Sequence, residues 1–455
     1  MNIVYLHTHD TGRVISPYGY KVHTPNYQAF CEAEGSVLFQ KAFSVAPTCS
    51  PSRASLLTGV YPHQNGMLGL AQRGFDLKQE MHLANILKKN DYHTALCGVQ
   101  HEIGYYTDHE MAIGTLGYKQ DLSADHRQYS EKELVIWDQE NADKVVNFLK
   151  NYQKDQPFFV SYGMHATHRA FPDSIHEDES VDFAQPPVNL PNNEVTREDY
   201  ARYKTSLRIA DENIGKVINV LKEEGLYENT IIIVTTDHGL AYPFEKCTLN
   251  DEGIGVLLAM NVPGSTYNKK SYDGLISQID MVPTLCDLIG ISQPDYIEGK
   301  SFAGIFTGEY FEENNAVYGH MNFHTSYEPV RSVRTKRYKY IRFFDKDYLR
   351  VNRSNIDASP IKEFYKNHEL VEVTKDEECL YDLYYDTFEQ NNLVDNERYQ
   401  EALANMREKL AAVMKKTNDP LLDGKIEIQP EWKVNKRESY ATGSKDPKDY
   451  DSFGQ

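Results

Sequence analysis

Short apolar segments alternate with longer amphipathic segments through the first 315 residues of the chain. The pattern predicts strands at 3–6, 36–43, 95–99, 157–163 and 231–235, and helices at 24–34, 82–90, 131–153 and 198–224. Such alternation is typical of an open, mostly parallel sheet with helices on both faces. We therefore predict an α/β domain over residues 1–315.

The pattern changes after residue 315. Strand-like segments at 317–319, 330–334 and 337–344 follow one another without a long helix, and one amphipathic helix is predicted at 397–416. We predict a smaller α+β domain with an antiparallel sheet over residues 316–417. Residues 418–455 are polar and are predicted to form a C-terminal tail that is mobile or lies along the surface.

The chain is acidic, with 48 Lys and Arg against 67 Asp and Glu in 455 residues, a net charge of −19. Nucleic-acid backbones require a basic surface, so we expect no nucleic-acid partner. No apolar run approaches the ~18 residues of a membrane span, so we expect no membrane association. Met1 is not followed by a signal-peptide pattern. We therefore predict a cytoplasmic protein, unless a leader has been trimmed from the sequence.

Polar residues follow four of the predicted strands. In α/β sheets, functional side chains lie just beyond the carboxyl ends of the strands. The residues at these positions are His9, Asp10, His101, His165, His168, Asp237 and His238. Each alone is more often a turn or cap residue. Together they offer two carboxylates and several imidazoles, which a metal-assisted hydrolytic site requires.

One segment carries a specific motif. Residues 49–59 read C-S-P-S-R-A-S-L-L-T-G, and the six cysteines of the chain form no C-x-x-C pair that would indicate a disulfide framework or a zinc ribbon. Residues 50–52 are predicted to begin a helix, whose free N–H groups favour an anion. Arg53 would then lie in the first turn, where its guanidinium can bind an oxygen atom of an anion.

This segment resembles the C-x-P-S-R-x-x-x-L-T-G signature of the sulfatase family. The resemblance implies an alkaline-phosphatase-like fold and a maturation enzyme that oxidises Cys49 to formylglycine, whose hydrate is the nucleophile. It also implies a divalent metal ion, with calcium expected. The ligands it implies are His9, Asp10, Cys49, Asp237 and His238. Because His9 replaces an aspartate of the family pattern, Mn²⁺ and Zn²⁺ compete with calcium, or His9 lies outside the ligand set.

The resemblance also implies roles for the other residues. Arg53 and Lys246 would bind the sulfate, and either His168 or Lys246 would protonate the leaving group. His101 would remove a proton from the sulfated intermediate. Val99 replaces a lysine of the family pattern, so one positive charge is missing. We expect Arg53→Ala to abolish most activity with little loss of fold.

Within the family, segments 63–67, 320–329 and 331–333 resemble the heparan N-sulfatases. This implies a small sulfated saccharide as substrate, with an N-sulfate or O-sulfate on a glucosamine-type glycosaminoglycan fragment. The predicted substrate contacts are His165, His320, His324 and Arg331. An equally good interpretation is that these four side chains form ordinary pairs with other residues at the protein surface.

Three other functions remain open. The first is a phosphonate or phosphate diester hydrolase that uses the same modified nucleophile. The second is a sulfatase-like binding protein without catalysis, to which Val99 and His9 would point. The third is an enzyme that uses an unmodified Cys49 thiolate.

Overall fold

The computed structural model describes residues 1–153 and 155–452. Within these residues the large sheet has eight strands: β1 (Asn2–Thr8), β2 (Ser36–Phe43), β3 (His93–Gly98), β4 (Gln120–Asp121), β5 (Phe158–Gly163), β6 (Thr230–Thr236), β7 (Leu258–Asn261) and β8 (Ser271–Ser277). Their order in space is β4-β3-β5-β1-β6-β7-β2-β8. Strand β7 runs antiparallel to both of its neighbours, and the other pairings are parallel. The predicted mostly parallel sheet is confirmed.

Helices cover both faces of this sheet. The α-helices are α1 (Pro25–Glu32), α2 (Cys49–Thr58), α3 (Pro62–Asn65), α4 (Leu83–Lys89), α5 (His109–Ala112), α6 (Leu134–Asn151), α7 (Glu194–Glu223), α8 (Asp251–Ile254), α9 (Met281–Ile289), α10 (Gly304–Thr307), α11 (Pro360–Lys366) and α12 (Gln400–Lys416). Helix α7 begins four residues before the predicted start, because the Asn193 side chain accepts a hydrogen bond from the Thr196 N–H and caps it there. No helix in the described part of the chain is long and apolar enough to cross a membrane.

Strand β6 shows why the central strands are apolar throughout. Ile231 and Ile233 belong to the apolar cluster on one face of the sheet, and Ile232 and Val234 belong to the cluster on the other face. Successive side chains of a strand point to opposite faces. A strand with helices on both sides therefore buries every side chain, which the continuous Ile-Ile-Ile-Val run allows.

A second sheet follows in the chain and is antiparallel, as predicted. It contains β9 (Val317–Phe323), β10 (Tyr327–Arg334), β11 (Tyr338–Phe343) and β12 (Glu378–Asp382), in the order β12-β11-β10-β9. Helix α12 packs on one face of this sheet, where Leu403 and Leu410 join Val333, Tyr340 and Leu380 in one apolar cluster. The boundaries at residues 315 and 417 stay predictions.

The described part of the C-terminal tail is anchored to the protein. Strands β13 (Val434–Asn435) and β14 (Tyr450–Ser452) form a small antiparallel pair. Val434 is buried. The Arg73 guanidinium donates hydrogen bonds to the carbonyl oxygens of Lys433 and Thr442. The segment is polar and contains few apolar residues at these anchors. Its composition alone therefore could not distinguish a mobile tail from one that lies along the surface. Residues 453–455 lie outside the described residues.

The substitution Ile232→Ala should test the two-sided burial of β6. Ile232 is fully buried, so we expect the free energy of unfolding to fall by about 2–5 kcal/mol through lost burial and the cavity left behind. Ile136→Ala removes the same atoms from an exposed position on α6 and should change the free energy of unfolding by less than about 0.5 kcal/mol. Denaturant unfolding measures both. Equal effects would contradict the described packing.

Candidate active site

Four neighbouring strands, β3, β5, β1 and β6, end at the same edge of the large sheet. In their register, Gly163 of β5 lies opposite both Gly98 of β3 and His7 of β1, and Thr8 of β1 lies opposite Thr236 of β6. The segments that follow these strands therefore start side by side. This places the predicted strand-end residues in one mostly buried group around Cys49, the active-site pocket.

Two glycines let strands β3 and β5 approach closely at this edge. Gly98 has a φ of +75°, and a Cβ atom there would lie 2.1 Å from the Gly163 carbonyl oxygen. A Cβ atom on Gly163 would lie 2.0 Å from the Val99 carbonyl oxygen. The Val99 side chain is buried in an apolar cluster with Trp137. The position of the missing family lysine is therefore filled by core packing.

Cys49 lies at the start of α2 within a group of metal-binding side chains. Ligand atoms of Asp10, Cys49, Asp237 and His238 all lie within 4.8 Å of one another. The Cys49 Sγ is 3.3 Å from His238 Nε2 and 3.9 Å from Asp10 Oδ1. His238 Nδ1 lies 2.9 Å from the Gly239 carbonyl oxygen. Donation of the Nδ1 proton to that carbonyl would direct the Nε2 lone pair at the group, as in metal-binding histidines.

His9 lies beside this group and belongs to a second one, with Asp10, Cys49 and His168. Its Nε2 is 3.4 Å from Asp237 Oδ2, and neither ring nitrogen has a hydrogen-bond partner although both are buried. Burial lowers the pKa of His9, so its imidazole is neutral and offers a lone pair. Two carboxylates and two imidazoles fit a divalent ion, and the imidazoles suit Mn²⁺ or Zn²⁺ better than Ca²⁺.

Arg53 supports the Asp237 carboxylate. The guanidinium is buried, with Nε 3.1 Å from Asp237 Oδ2 and one terminal nitrogen 2.5 Å from His7 Nδ1. Burial raises the pKa of Asp237, but nearby positive charge, including that of the Arg53 guanidinium, outweighs this effect and holds the pKa below its usual range. Removal of Arg53 would leave a buried carboxylate without this partner, which typically costs about 3–5 kcal/mol. The structure therefore revises the expectation that Arg53→Ala leaves the fold almost unchanged.

Lys246 bridges two carboxylates at the pocket. Its Nζ lies 2.9 Å from Asp10 Oδ2 and 2.9 Å from Asp357 Oδ2. Burial disfavours the ammonium ion, but Asp10 and Asp357 outweigh it and raise the pKa of Lys246. Asp357 was missed in the sequence because it lies in a loop between β11 and α11, with no strand end or motif to mark it.

Three further histidines contribute neutral rings: His101 and His168, predicted to be catalytic, and His165, predicted to contact the substrate. His101 Nε2 lies 2.7 Å from Gln72 Oε1, and its Nδ1 is buried without a partner. His168 Nε2 lies 3.8 Å from Asp10 Oδ2. The ring of His165 is 5.3 Å from that of His168. Burial lowers the pKa of all three histidines. His101 can therefore accept a proton at Nδ1.

The other residues predicted to contact a substrate lie in two different places. His324 is buried, and the charges of Asp357 and Lys246 act on it, so it lies near the pocket. Arg331 is fully buried, with Nε 2.6 Å and one terminal nitrogen 2.9 Å from the Asp419 carboxylate oxygens. His320 is grouped with Asp419 rather than with Cys49. Arg331 thus has a protein partner in place of the predicted substrate, and His320 is buried beside Asp419, 3.6 Å from its Oδ2.

Two family models match the sequence. The sulfatase model matches residues 1–291, and the model of the N-sulphoglucosamine sulphohydrolase C-terminal region matches residues 237–378. This chain belongs to the sulfatase family. The predicted sulfatase resemblance and the predicted class of sulfuric ester hydrolase are confirmed.

Individual sulfatases are similar over most of their length. An ulvan-active sulfatase of Formosa agariphila is 30% identical over 426 residues, covering 90% of this chain and 78% of the relative. Human N-sulphoglucosamine sulphohydrolase is 26% identical over 470 residues, covering 89% of this chain and 88% of the relative.

Solved structures share the fold. A putative sulfatase from Bacteroides thetaiotaomicron superposes with a TM-score of 0.73 at 20% identity, covering 97% of this chain and 98% of the other. An enzyme solved in complex with its substrate D-glucosamine-2-N,6-O-disulfate gives a TM-score of 0.69 at 20% identity, covering 92% and 98%. The predicted fold class, a large sheet between helices with a separate antiparallel sheet, is confirmed for this sulfatase.

The substitution Asp357→Asn should reveal how much of the Lys246 charge depends on its second carboxylate. We expect kcat/KM for sulfate release to fall roughly 10-fold to 100-fold, the range for loss of a hydrogen bond to a charged group. Asp357 raises the pKa of Lys246, so its loss should move the alkaline limb of the pH–rate profile to lower pH. Asp395→Asn, at an exposed position, is the control. An unmoved alkaline limb would show that Asp357 does not maintain the Lys246 charge.

Proposed function

We propose that this sulfatase removes the sulfate group of a sulfated saccharide, with Cys49 converted to formylglycine as the nucleophile. The observation that carries the proposal is the position of Cys49. It lies at the N-terminus of α2 among Asp10, Asp237 and His238, and the whole maturation signature surrounds it. A nucleophile at this point would face both the carboxylates and the ammonium group of Lys246.

The environment of Cys49 supports the modified form over an unmodified thiolate. The side chain is 2% exposed, and burial raises the pKa of the Cys49 thiol. The thiol would therefore remain protonated at neutral pH, and a protonated thiol is a poor nucleophile. Oxidation to an aldehyde replaces it with a carbon that adds water and carries two hydroxyl groups.

Two hydroxyl groups on one carbon account for both halves of the reaction. One hydroxyl group would lose its proton as its oxygen attacks the sulfur atom. The bond from sulfur to the leaving oxygen or nitrogen would break, and the leaving atom would take up a proton, so the number of protons is balanced. The second hydroxyl would then lose its proton, the C=O bond would re-form, and the C–O bond to sulfate would break. A serine has no second hydroxyl and could not complete this step.

The side chains of the pocket suit these proton movements. We assign Lys246 to bind the sulfate oxygens and to protonate the leaving atom, because it carries a proton where His168 is neutral. We assign His101 Nδ1 to accept the proton of the second hydroxyl, because Gln72 occupies its other nitrogen. In this scheme Arg53 acts mainly by holding Asp237 in place.

The same side chains would hold the metal ion of the family. Asp10, Asp237, His238 and the oxygen at position 49 are the proposed ligands, with His9 as a further one. A bound divalent ion supplies positive charge that neutralises sulfate oxygens and favours the ionised nucleophile. Calcium is the family expectation, while the imidazoles favour Mn²⁺ or Zn²⁺.

We propose a glucosamine-type sulfate as the substrate class. Three similarities support it: the C-terminal family model, the human relative named for N-sulphoglucosamine, and the solved structure with disulfated glucosamine. An N-sulfate and an O-sulfate both remain compatible with the catalytic residues, because the described groups act on the sulfate and the leaving atom rather than on the sugar.

The state of Cys49 should be measured directly. Peptide mass spectrometry of protein made with a formylglycine-generating maturation enzyme should find the aldehyde at position 49. The variant Cys49→Ser should lower kcat at least about 1,000-fold, since loss of a nucleophile typically costs that much or more. Cys31→Ala changes another buried cysteine, outside the pocket, and should retain the activity. An intact thiol in active, matured protein would contradict the mechanism.

A substrate panel should test the saccharide assignment. We expect sulfate release from N-sulfoglucosamine and glucosamine 6-sulfate, with a higher kcat/KM than for an ulvan oligosaccharide or a phosphonate ester. If both glucosamine sulfates stay intact while ulvan is desulfated, the substrate class is wrong but the sulfatase chemistry stands. A preference for the phosphonate ester would favour the phosphonate hydrolase, and no turnover of any compound would favour a binding protein.

A further inference from the structure

A second group of metal-binding side chains lies apart from Cys49. Ligand atoms of His63, His320 and Asp419 all lie within 4.8 Å of one another. The three residues come from separate parts of the chain: helix α3, strand β9 and the segment after α12. His320 and Asp419 are buried, and His63 is half-buried. The proposed reaction uses none of them.

The two histidines have nitrogen atoms without partners. His63 Nε2 lies 3.1 Å from the Thr417 carbonyl oxygen, so it can donate its proton there and leave a lone pair on Nδ1, which is buried and unpartnered. Both ring nitrogens of His320 are buried and unpartnered. Burial lowers the pKa of both histidines, so the rings are neutral. Unsatisfied buried polar atoms are costly, and each such atom calls for an explanation.

The Asp419 carboxylate is held in a fixed orientation and keeps free acceptor capacity. Its Oδ1 accepts hydrogen bonds from Arg331 and from the Leu421 N–H, and its Oδ2 accepts one from Arg331. Oδ2 also lies 3.6 Å from His320 Nδ1. A carboxylate has about four lone-pair positions, so one remains at Oδ2. Metal-binding carboxylates are commonly oriented by such outer hydrogen bonds.

We propose that His63, His320 and Asp419 bind a structural divalent ion of the zinc class. Two neutral imidazoles and one carboxylate form a donor set that suits Zn²⁺. The fourth position would take water, which the half-buried His63 leaves accessible. The ion would fasten α3, which follows the signature helix α2, to β9 and to the start of the C-terminal tail.

The Arg331 cation limits the affinity of this site. Arg331 neutralises the charge of Asp419 and would repel an incoming cation, although its guanidinium is also what orients the carboxylate. We therefore expect zinc to be removed by a chelator more readily than from a closed site of four protein ligands. The proposal also explains why His320 and Arg331 are buried rather than presented to a substrate.

The zinc content of purified full-length protein tests the proposal. Asp237→Asn removes a ligand of the Cys49 group, and after zinc saturation and removal of free ions this protein should retain one equivalent by elemental analysis. Adding His63→Gln should abolish that equivalent, whereas adding His23→Gln, at an exposed position, should not. No zinc in the Asp237→Asn protein, or equal zinc with either histidine variant, would overturn the proposal.

Thermal unfolding gives a second measurement that does not require the His63 variant to fold. Chelation of zinc should lower the Tm of the Asp237→Asn protein by about 3 °C, because a ligand that binds only the folded state stabilises it. A Tm that does not respond to zinc would overturn the proposal. Neither measurement uses sulfate release, so the result is independent of the proposed enzymatic function.

Discussion

The pairing of buried carboxylates with buried cations is the constraint on which the pocket depends. Asp10 and Asp237 are both buried, and a buried charge is tolerated only when a partner compensates it. Arg53 compensates Asp237, and Lys246 compensates Asp10. These two cations face three carboxylates, because Lys246 also pairs with Asp357, so binding of a sulfate group would need the further positive charge of the proposed divalent ion.

Backbone carbonyls set the direction of several imidazoles. The carbonyl oxygen of Gly239 lies beside Nδ1 of His238. The carbonyl oxygen of Arg169 lies beside Nδ1 of His168, and that of Thr417 lies beside Nε2 of His63. In each case the carbonyl oxygen can accept the ring proton, which leaves a lone pair on the other nitrogen, in a group that contains at least one carboxylate. Histidines whose tautomer is set in this way are suited to bind metal ions or to accept protons, so local backbone geometry influences the chemistry.

Much of the fold and the centre of the pocket could be predicted from the sequence, because both leave local patterns. The apolar run of β6 reflects burial on both faces, and Asp237 and His238 follow it directly. Asp357 could not be predicted, because only the three-dimensional fold brings its loop to Lys246. Arg331 was misread for the same reason: Asp419, its partner, lies 88 positions further along the chain. Charge pairs of this kind carry no periodicity that a sequence pattern could show.

The attachment of the C-terminal tail has a consequence for the order of folding during synthesis. Gln72, which holds His101, is followed directly by Arg73, and Arg73 is anchored by carbonyl groups of Lys433 and Thr442. These anchors lie 360 and 369 positions after Arg73 in the chain, so they leave the ribosome long after it. The nascent chain can form its central sheet before these anchors appear, but the support of the proposed catalytic base is complete only once residues 433–442 have been made. A deletion of residues 433–442 would therefore remove contacts directly beside the pocket.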